Sequence, residues 1–226
     1  MSFRIFKLLT AAQVAELNAS LSNAEFTDGR TTAGSFAAQV KNNEQFGRSQ
    51  GNEPSTQEAQ LIEQSLASHQ ELLAYVKPAA YFPPSFNRYS VGMFYGNHCD
   101  SPVMQTRGRL IRTDLSMTLF LSEPDSYDGG ELVLESEFGE EAIKLEGGSA
   151  VVYNANMIHR VEPVTRGTRV ACITWFQSQI ADTAMRELIF DLTLVQNAML
   201  NSTVGPTMVN LLSKSVNTLV RKHYQG

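Results

Sequence analysis

Cysteine is scarce in this chain. Two in 226 residues are too few for a disulfide framework, and too few for a four-thiolate zinc or iron–sulfur site. Cys99 and Cys172 are expected as buried free thiols, which suits a reducing cytoplasm. No apolar run approaches the roughly 20 residues that spanning a bilayer requires. Met1 to Leu9 is too short and interrupted for the apolar part of a secretion signal, so neither membrane nor export is expected. Positive charge is also in short supply: 18 Lys and Arg stand against 23 Asp and Glu, a net charge of −5. With no basic stripe, nucleic acid and anionic membrane surfaces are not expected partners. Internal repeats, low-complexity tracts and interdomain linkers are missing too. A composition of 42% apolar and 18% charged residues leaves a globular chain long enough to bury one substantial core.

Three textures follow one another along that chain. Residues 1–78 read as a helical and extended segment packing on the core. Thr10-Ala11-Ala12-Gln13 predicts a capping box opening a helix with Val14, Leu17 and Leu21 on one side. Extended structure is expected around 33–41, with the polar run beyond it either a solvated turn or part of the pocket rim, and Gly51 to Pro54 reads as a loop. Ser55-Thr56-Gln57-Glu58 predicts a second capping box, opening a helix that carries Leu61, Ile62, Leu66, Leu72, Leu73 and Val76 and includes His69. Lys77-Pro78 ends it, since proline disfavours helical geometry in the preceding residue. Residues 79–178 change to short strands with glycine turns, the pattern of a jelly roll. Strands are expected at 87–95, 98–100, 115–121, 131–135, 142–145, 149–153, 158–162 and 169–176. Along 115–121, Leu115, Met117 and Leu119 take one face, and Ser116, Thr118 and Phe120 the other, where they could line a partly polar cavity. Residues 179–226 return to amphipathic helix, and a homodimer through these helices is an expected consequence.

Chemistry concentrates at His98-Cys99-Asp100. In extended backbone His98 and Asp100 point one way and Cys99 the other. An imidazole and a carboxylate on one face supply two-thirds of the set that holds non-haem Fe(II) with open positions. His159 is the candidate third ligand, on a distant strand; His69 is assigned to packing and His223 to solvent. Three protein ligands leave three positions free, two for a 2-oxo acid and one for dioxygen. The far carboxylate of such a co-substrate needs a cation, and the planar two-pronged guanidinium of Arg169 suits it. Arg169, Ala171, Ile173 and Trp175 share a face of their strand, so an inward Arg169 brings the single tryptophan to the pocket floor. Tyr89 is either a hydrogen-bond donor to the oxo acid or substrate, or an ordinary sheet aromatic.

His98-Cys99-Asp100, Arg112-Thr113-Asp114-Leu115-Ser116, Tyr127-Asp128-Gly129-Gly130-Glu131-Leu132 and His159 through Gly167 with Arg169 together resemble the PKHD-type hydroxylases. These are bacterial and phage relatives of the prolyl 4-hydroxylase domain. Gly29 to Gly34 and Lys41-Asn42-Asn43 extend the resemblance over nearly the whole chain. It implies a mainly β protein with flanking helices, built on a double-stranded β-helix (a cupin-like jelly roll). It implies Fe(2+) on His98, Asp100 and His159, 2-oxoglutarate on Arg169, and L-ascorbate as reductant. Where animal relatives often place a tyrosine on the first core strand this chain has Phe120, so carboxylate binding would rest on Arg169 with Ser116 or Thr118. The implied reaction hydroxylates an unactivated C–H bond with O2, while 2-oxoglutarate loses CO2 to give succinate. Its prime substrate could be a peptide, a free amino acid or a siderophore-like small molecule. Two other readings share the ligands: a non-catalytic iron- or oxo-acid-binding sensor, and a cupin-type metalloenzyme that does not use 2-oxoglutarate.

Overall fold

The structure, a computed structural model, describes residues 3–47, 56–106, 108–200 and 202–225. The N-terminal strand β1 (Phe3–Lys7) leads into helix α1 (Ala11–Ser22). Thr10 and Gln13 cap α1 reciprocally, as the capping-box pattern predicts. After β2 (Thr27–Asp28) come two 3-10 turns, Gly29–Thr32 and Ala37–Val40, then β3 (Lys41–Asn42) and β4 (Glu44–Phe46). The extended run expected around 33–41 is therefore replaced by turns, which fold a mostly small-residue segment over the mouth of the barrel.

The single helix expected after residue 56 is two helices, α2 (Gln57–Ser68) and α3 (Gln70–Val76). His69 breaks it. With φ −86° and ψ 91° it ends α2, and its Nδ1 accepts the Leu72 N–H at 3.2 Å to cap α3. Its ring lies edge-on to Phe6 at 5.7 Å, so His69 packs far from the candidate metal ligands. Thr56 caps α2 through the Ala59 N–H, one residue later than the expected box. Ser55 and the expected loop at Gly51 to Pro54 lie outside the described residues.

The β-region runs through β5 (Pro78–Tyr81), β6 (Ser85–Tyr89), β7 (Phe94–His98), β8 (Val103–Thr106), β9 (Arg109–Arg112), β10 (Leu115–Phe120) and β11 (Asp128–Gly129). It continues with β12 (Leu132–Ser136), β13 (Gly139–Ile143), β14 (Ser149–Asn154), β15 (His159–Val161), β16 (Val164–Arg166) and β17 (Arg169–Ser178). The strand expected at 87–95 is split in two, because Gly92 takes φ +82° and reverses the chain between β6 and β7. That turn moves β6 and β7 into different sheets. The larger sheet has the order β1-β14-β10-β17-β6-β4-β2, with β5 also on β17; the smaller is β13-β12-β15-β7-β3. All pairings are antiparallel.

Period-two alternation sorts each central strand of the larger sheet between two cores. Leu115, Met117 and Leu119 join Ala150, Val152, Cys172 and Phe176 under α1, α2 and α3. Phe120, Val151 and Tyr153 point the other way, against Leu132, Leu134 and Val161 of the smaller sheet. Apolar burial on both faces, at about 25 cal/mol per Å² removed from water, holds the layers together. Between the two sheets the filling is incomplete, and a cavity remains. Two C-terminal helices, α4 (Thr183–Leu200) and α5 (Pro206–His223), pack together through Ile189, Leu192, Leu212 and Val216. The fully buried Arg186 ties α4 to the barrel, donating to Asn154 Oδ1 at 2.8 Å and to the Ile180 carbonyl at 3.1 Å. Among the described residues no helix is long and apolar enough to cross a membrane.

Candidate active site

His98 is the last residue of β7 and His159 the first of β15, and these two strands pair so that His98 and His159 stand opposite each other. Asp100 is not on a strand. Cys99 and Asp100 have left the sheet, contrary to the strand expected at 98–100, yet the carboxylate still reaches the same point. Ligand atoms from His98, Asp100 and His159 all lie within 4.8 Å of one another, and Asp100 Oδ2 is 3.9 Å from His159 Nε2. Among the described residues this is the one such cluster of metal-ligating side chains.

Backbone carbonyls fix both imidazoles. His98 Nδ1 lies 2.8 Å from the Gly96 carbonyl and His159 Nδ1 3.0 Å from that of Met157. A carbonyl only accepts, so each Nδ1 carries the proton and each Nε2 presents its lone pair to the cluster. Burial, and then the neighbouring His159, push His98 down to about 4, so its ring is neutral at neutral pH. Tyr95 stacks on the His98 ring at 3.6 Å, and Tyr153 meets His159 edge-on at 5.2 Å.

The Asp100 loop is held by the segment that follows β9. The Ser116 hydroxyl donates to Asp100 Oδ2, and the Thr113 hydroxyl donates to the Ser101 carbonyl. Thr113 N–H bonds the Pro102 carbonyl at 3.0 Å. Ser116, expected near the co-substrate carboxylate, thus sits on the metal-ligand side. Asp114 anchors the same segment from below, receiving Arg112 Nε at 2.6 Å and the Ser178 N–H at 2.8 Å. Cys99, expected buried, is exposed at this corner; Cys172 is buried, and both are free thiols.

A cavity of about 90 Å³ opens beside the three ligand residues. At about 10–15 Å³ per ordered water it has room for roughly half a dozen waters or one small organic acid. Arg169 closes its inner end, 1% exposed, paired across the sheet with Tyr89. Its Cζ lies 5.2 Å from the ring centres of both Tyr89 and Phe120. Among the described residues, Arg169 Nε and Nη2 have no hydrogen-bond partner. An unmatched guanidinium in such a place costs several kcal/mol unless an anion joins it, so the cradle fits a carboxylate. Gly130 (φ +68°) makes the cradle possible, since a Cβ there would stand 3.0 Å from Arg169 Cδ. Burial raises the Tyr89 and Tyr153 phenols above their usual range, which keeps them neutral O–H groups at the cavity wall.

Trp175 does share the cavity face with Arg169 and Ile173. It does not lie on the floor. Six residues of strand, about 20 Å, separate it from Arg169, and it packs edge-on against Phe82 at 5.7 Å beside Met104 and Ile111 of the β8–β9 hairpin. Residues that sequence reasoning missed here are Tyr95, Asn87 and Tyr153, while Lys41, at the start of the polar run, also lines the cavity. Alternation along 149–153 would have placed Tyr153 beside Val151, but nothing in the sequence joined Tyr95 to His98.

A family model described as the 2OG-Fe(II) oxygenase superfamily matches residues 84–177, the span carrying all three ligand residues and Arg169. A PKHD-type hydroxylase of Xanthomonas axonopodis pv. citri is 42% identical over 209 residues, covering 90% of this chain and 91% of that protein. Among solved structures, a Pseudomonas putida prolyl-4-hydroxylase superposes with a TM-score of 0.56 at 21% identity, over 78% of this chain and 92% of that one. A Trichoplax adhaerens prolyl hydroxylase in complex with a hypoxia inducible factor peptide fragment gives 0.59 at 14% identity, over 78% and 84%. The structural matches share the jelly-roll fold.

Proposed function

The chain belongs to the PKHD-type hydroxylases of the 2OG-Fe(II) oxygenase superfamily, and from that premise we propose that His98, Asp100 and His159 hold its Fe(2+) while Arg169 holds its 2-oxoglutarate. The family is that of 2-oxoglutarate-dependent hydroxylases, which use O2 and form succinate and CO2. One observation carries the assignment of residues: a three-donor cluster, with both Nδ1 atoms held by backbone carbonyls, shares a cavity with a buried guanidinium whose Nε and Nη2 lack partners. Bound ferrous iron supplies the oxygen activation and the open coordination positions.

The protein's own residues do the remaining work. Gly96 and Met157 carbonyls engage Nδ1 of the two rings, which turns each Nε2 toward the metal position. Ser116 fixes the rotamer of Asp100 and neutralises part of its charge. Arg169 orients the far carboxylate of 2-oxoglutarate by two parallel N–H donors. The Tyr89 hydroxyl is proposed as a further donor to the same molecule, and Phe120 and Leu132 keep water from the inner end. L-ascorbate is proposed as the reductant that returns stray oxidised metal to the ferrous state. Residues 79–178 form the catalytic core in this reading, with 1–78 and 179–226 as appendages. A homodimer is proposed through α4 and α5, where Leu194, Val195, Met208 and Leu211 are exposed. A cytoplasmic setting is proposed from the two free thiols.

The test is succinate formation by Fe(II)-loaded protein given 2-oxoglutarate in air, with iron content measured in the same sample. Slow succinate release is expected even without prime substrate, and His159→Ala should lose both iron and turnover. Iron retained in full by His159→Ala, or no succinate from iron-replete protein over a broad substrate panel, would refute the assignment.

A further inference from the structure

Tyr127 is fully buried, and the chemistry above has no use for it. It stands immediately before β11 and does not line the cavity. Its ring instead meets Arg169 from behind. A Cβ built on Gly130 would stand 3.0 Å from Arg169 Cδ and 3.1 Å from Tyr127 Cε2, the ring carbon next to the one that bears the hydroxyl. The bare glycine thus lets the arginine stem and the hydroxyl end of the ring converge on one backbone position.

The ring is clamped from outside. Lys144 Nζ lies 4.1 Å from its centre, and the same ammonium donates to the Tyr127 carbonyl at 2.8 Å. Asp128, the next residue, pairs with Arg166 across β11 and β16, and its carboxylate receives Arg166 Nε at 2.7 Å. The turn before β17 presses on the same backbone, since a Cβ on Gly167 would stand 3.0 Å from Tyr127 Cα.

The hydroxyl itself contributes nothing to the fold. Among the described residues it closes no hydrogen bond. A phenylalanine would fill the same space without burying an unsatisfied polar group, so packing does not explain the oxygen. Its electrostatic partner is Arg169. Burial raises the phenol above its usual range, and Arg169 opposes the rise, as a positive charge and as an N–H donor. The two groups are close yet short of hydrogen-bond geometry, and Arg169 Nε and Nη2 are unmatched on the other side of the same approach. Guanidinium has more N–H donors than a carboxylate takes in a two-pronged pair, so one is left for an acceptor behind it.

We propose that Tyr127 is a positioning residue for Arg169. Its oxygen accepts a guanidinium N–H from behind, which turns the paired donors of the opposite edge toward the far carboxylate of 2-oxoglutarate. Arginine is a long side chain with many rotamers, and a fixed acceptor behind the fork selects the one that faces the cavity. The inference rests on the co-substrate assignment above and adds what aims the guanidinium.

Zn(II) in place of iron prevents turnover, because it has no redox chemistry, so binding is read by itself. Calorimetric titration with 2-oxoglutarate and chelator competition for the metal are run on the Zn(II)-loaded full chain, unaltered and as Tyr127→Phe. The variant is expected to lose about tenfold in 2-oxoglutarate affinity, the size of one hydrogen bond to a charged group, with Zn(II) affinity unchanged. In an Arg169→Met background the same substitution should change 2-oxoglutarate affinity by less than about twofold, because a residue acting through Arg169 then has nothing to act on. Tyr127→Met replaces Tyr127→Phe should the first variant fail to fold. Unchanged 2-oxoglutarate affinity in Tyr127→Phe, an equal fall in Zn(II) affinity, or a loss that persists in full without Arg169 overturns the proposal. An Arg169→Met protein that binds 2-oxoglutarate as tightly as the unaltered one overturns the co-substrate assignment, and the proposal with it.

Discussion

Replacing Arg169 by methionine separates a binding role from a structural one, because the two predict opposite results. The guanidinium is 1% exposed with Nε and Nη2 unpaired. If it serves the fold, removing it should destabilise the protein, as breaking a buried charge network costs about 3–5 kcal/mol. If it serves a ligand, the empty protein carries an uncompensated charge. Substituting an apolar chain of similar length should then relieve about 1–4 kcal/mol. Against that relief stand two ring contacts at 5.2 Å, worth up to about 2 kcal/mol together. The net change in unfolding free energy of the ligand-free protein is therefore expected within about 2 kcal/mol of zero. The ligand-bound protein should behave differently. Two charge-assisted hydrogen bonds, at about 1.5 kcal/mol or more each, make the loss of 2-oxoglutarate affinity at least about 100-fold. Urea denaturation of the ligand-free protein and calorimetric titration with 2-oxoglutarate of the Zn(II)-loaded protein give the two numbers. Unchanged 2-oxoglutarate affinity together with a loss of several kcal/mol in stability would refute the reasoning.

Two further predictions concern the ligand cluster. Ser116→Ala removes the hydroxyl that donates to Asp100 Oδ2, and metal affinity should fall about 10-fold, as outer-shell losses commonly cost 10–100-fold; competition with a chromophoric chelator measures it, and an unchanged affinity refutes the positioning role. His98, held at about 4 by burial and then by His159, refuses in the folded state a proton that the unfolded chain accepts near 6.5. Stability of the metal-free protein should be full above about pH 6.5 and fall as pH drops toward 4, by up to about 3 kcal/mol. His98→Asn should flatten that slope in urea titrations between about pH 7 and pH 4.5; an equally steep slope in the variant refutes it.

Much of the candidate site was legible because it lies on regular strands. Ser116, Thr118 and Phe120 alternate with Leu115, Met117 and Leu119; the latter three enter one core, while Phe120 enters the other and Ser116 and Thr118 line the cavity. Arg169, Ile173 and Trp175 follow the same rule on β17. Where the chain leaves regular geometry the rule fails. Asp100 reaches the cluster from a loop held by Ser116 and Thr113, not from an extended HxD. Trp175 shares the face of Arg169, but strand rise carries it to the far end of the cavity.

The amino-acid sequence by itself determined which side chains were available for chemistry and which strand faces could be apolar. Residue type and spacing are properties of the chain alone, and period two converts them directly into facing. Only the tertiary structure decided where the chain turns and what meets across the sheets. Gly92 at φ +82° sends β6 and β7 to opposite layers, His69 splits one helix into two, and two 3-10 turns bring Lys41 against Tyr95. Those choices depend on contacts between residues tens of positions apart, such as His98 with His159 or Tyr89 with Arg169. No local pattern encodes such contacts, because their energy exists only once both partners have been brought out of water into one cavity.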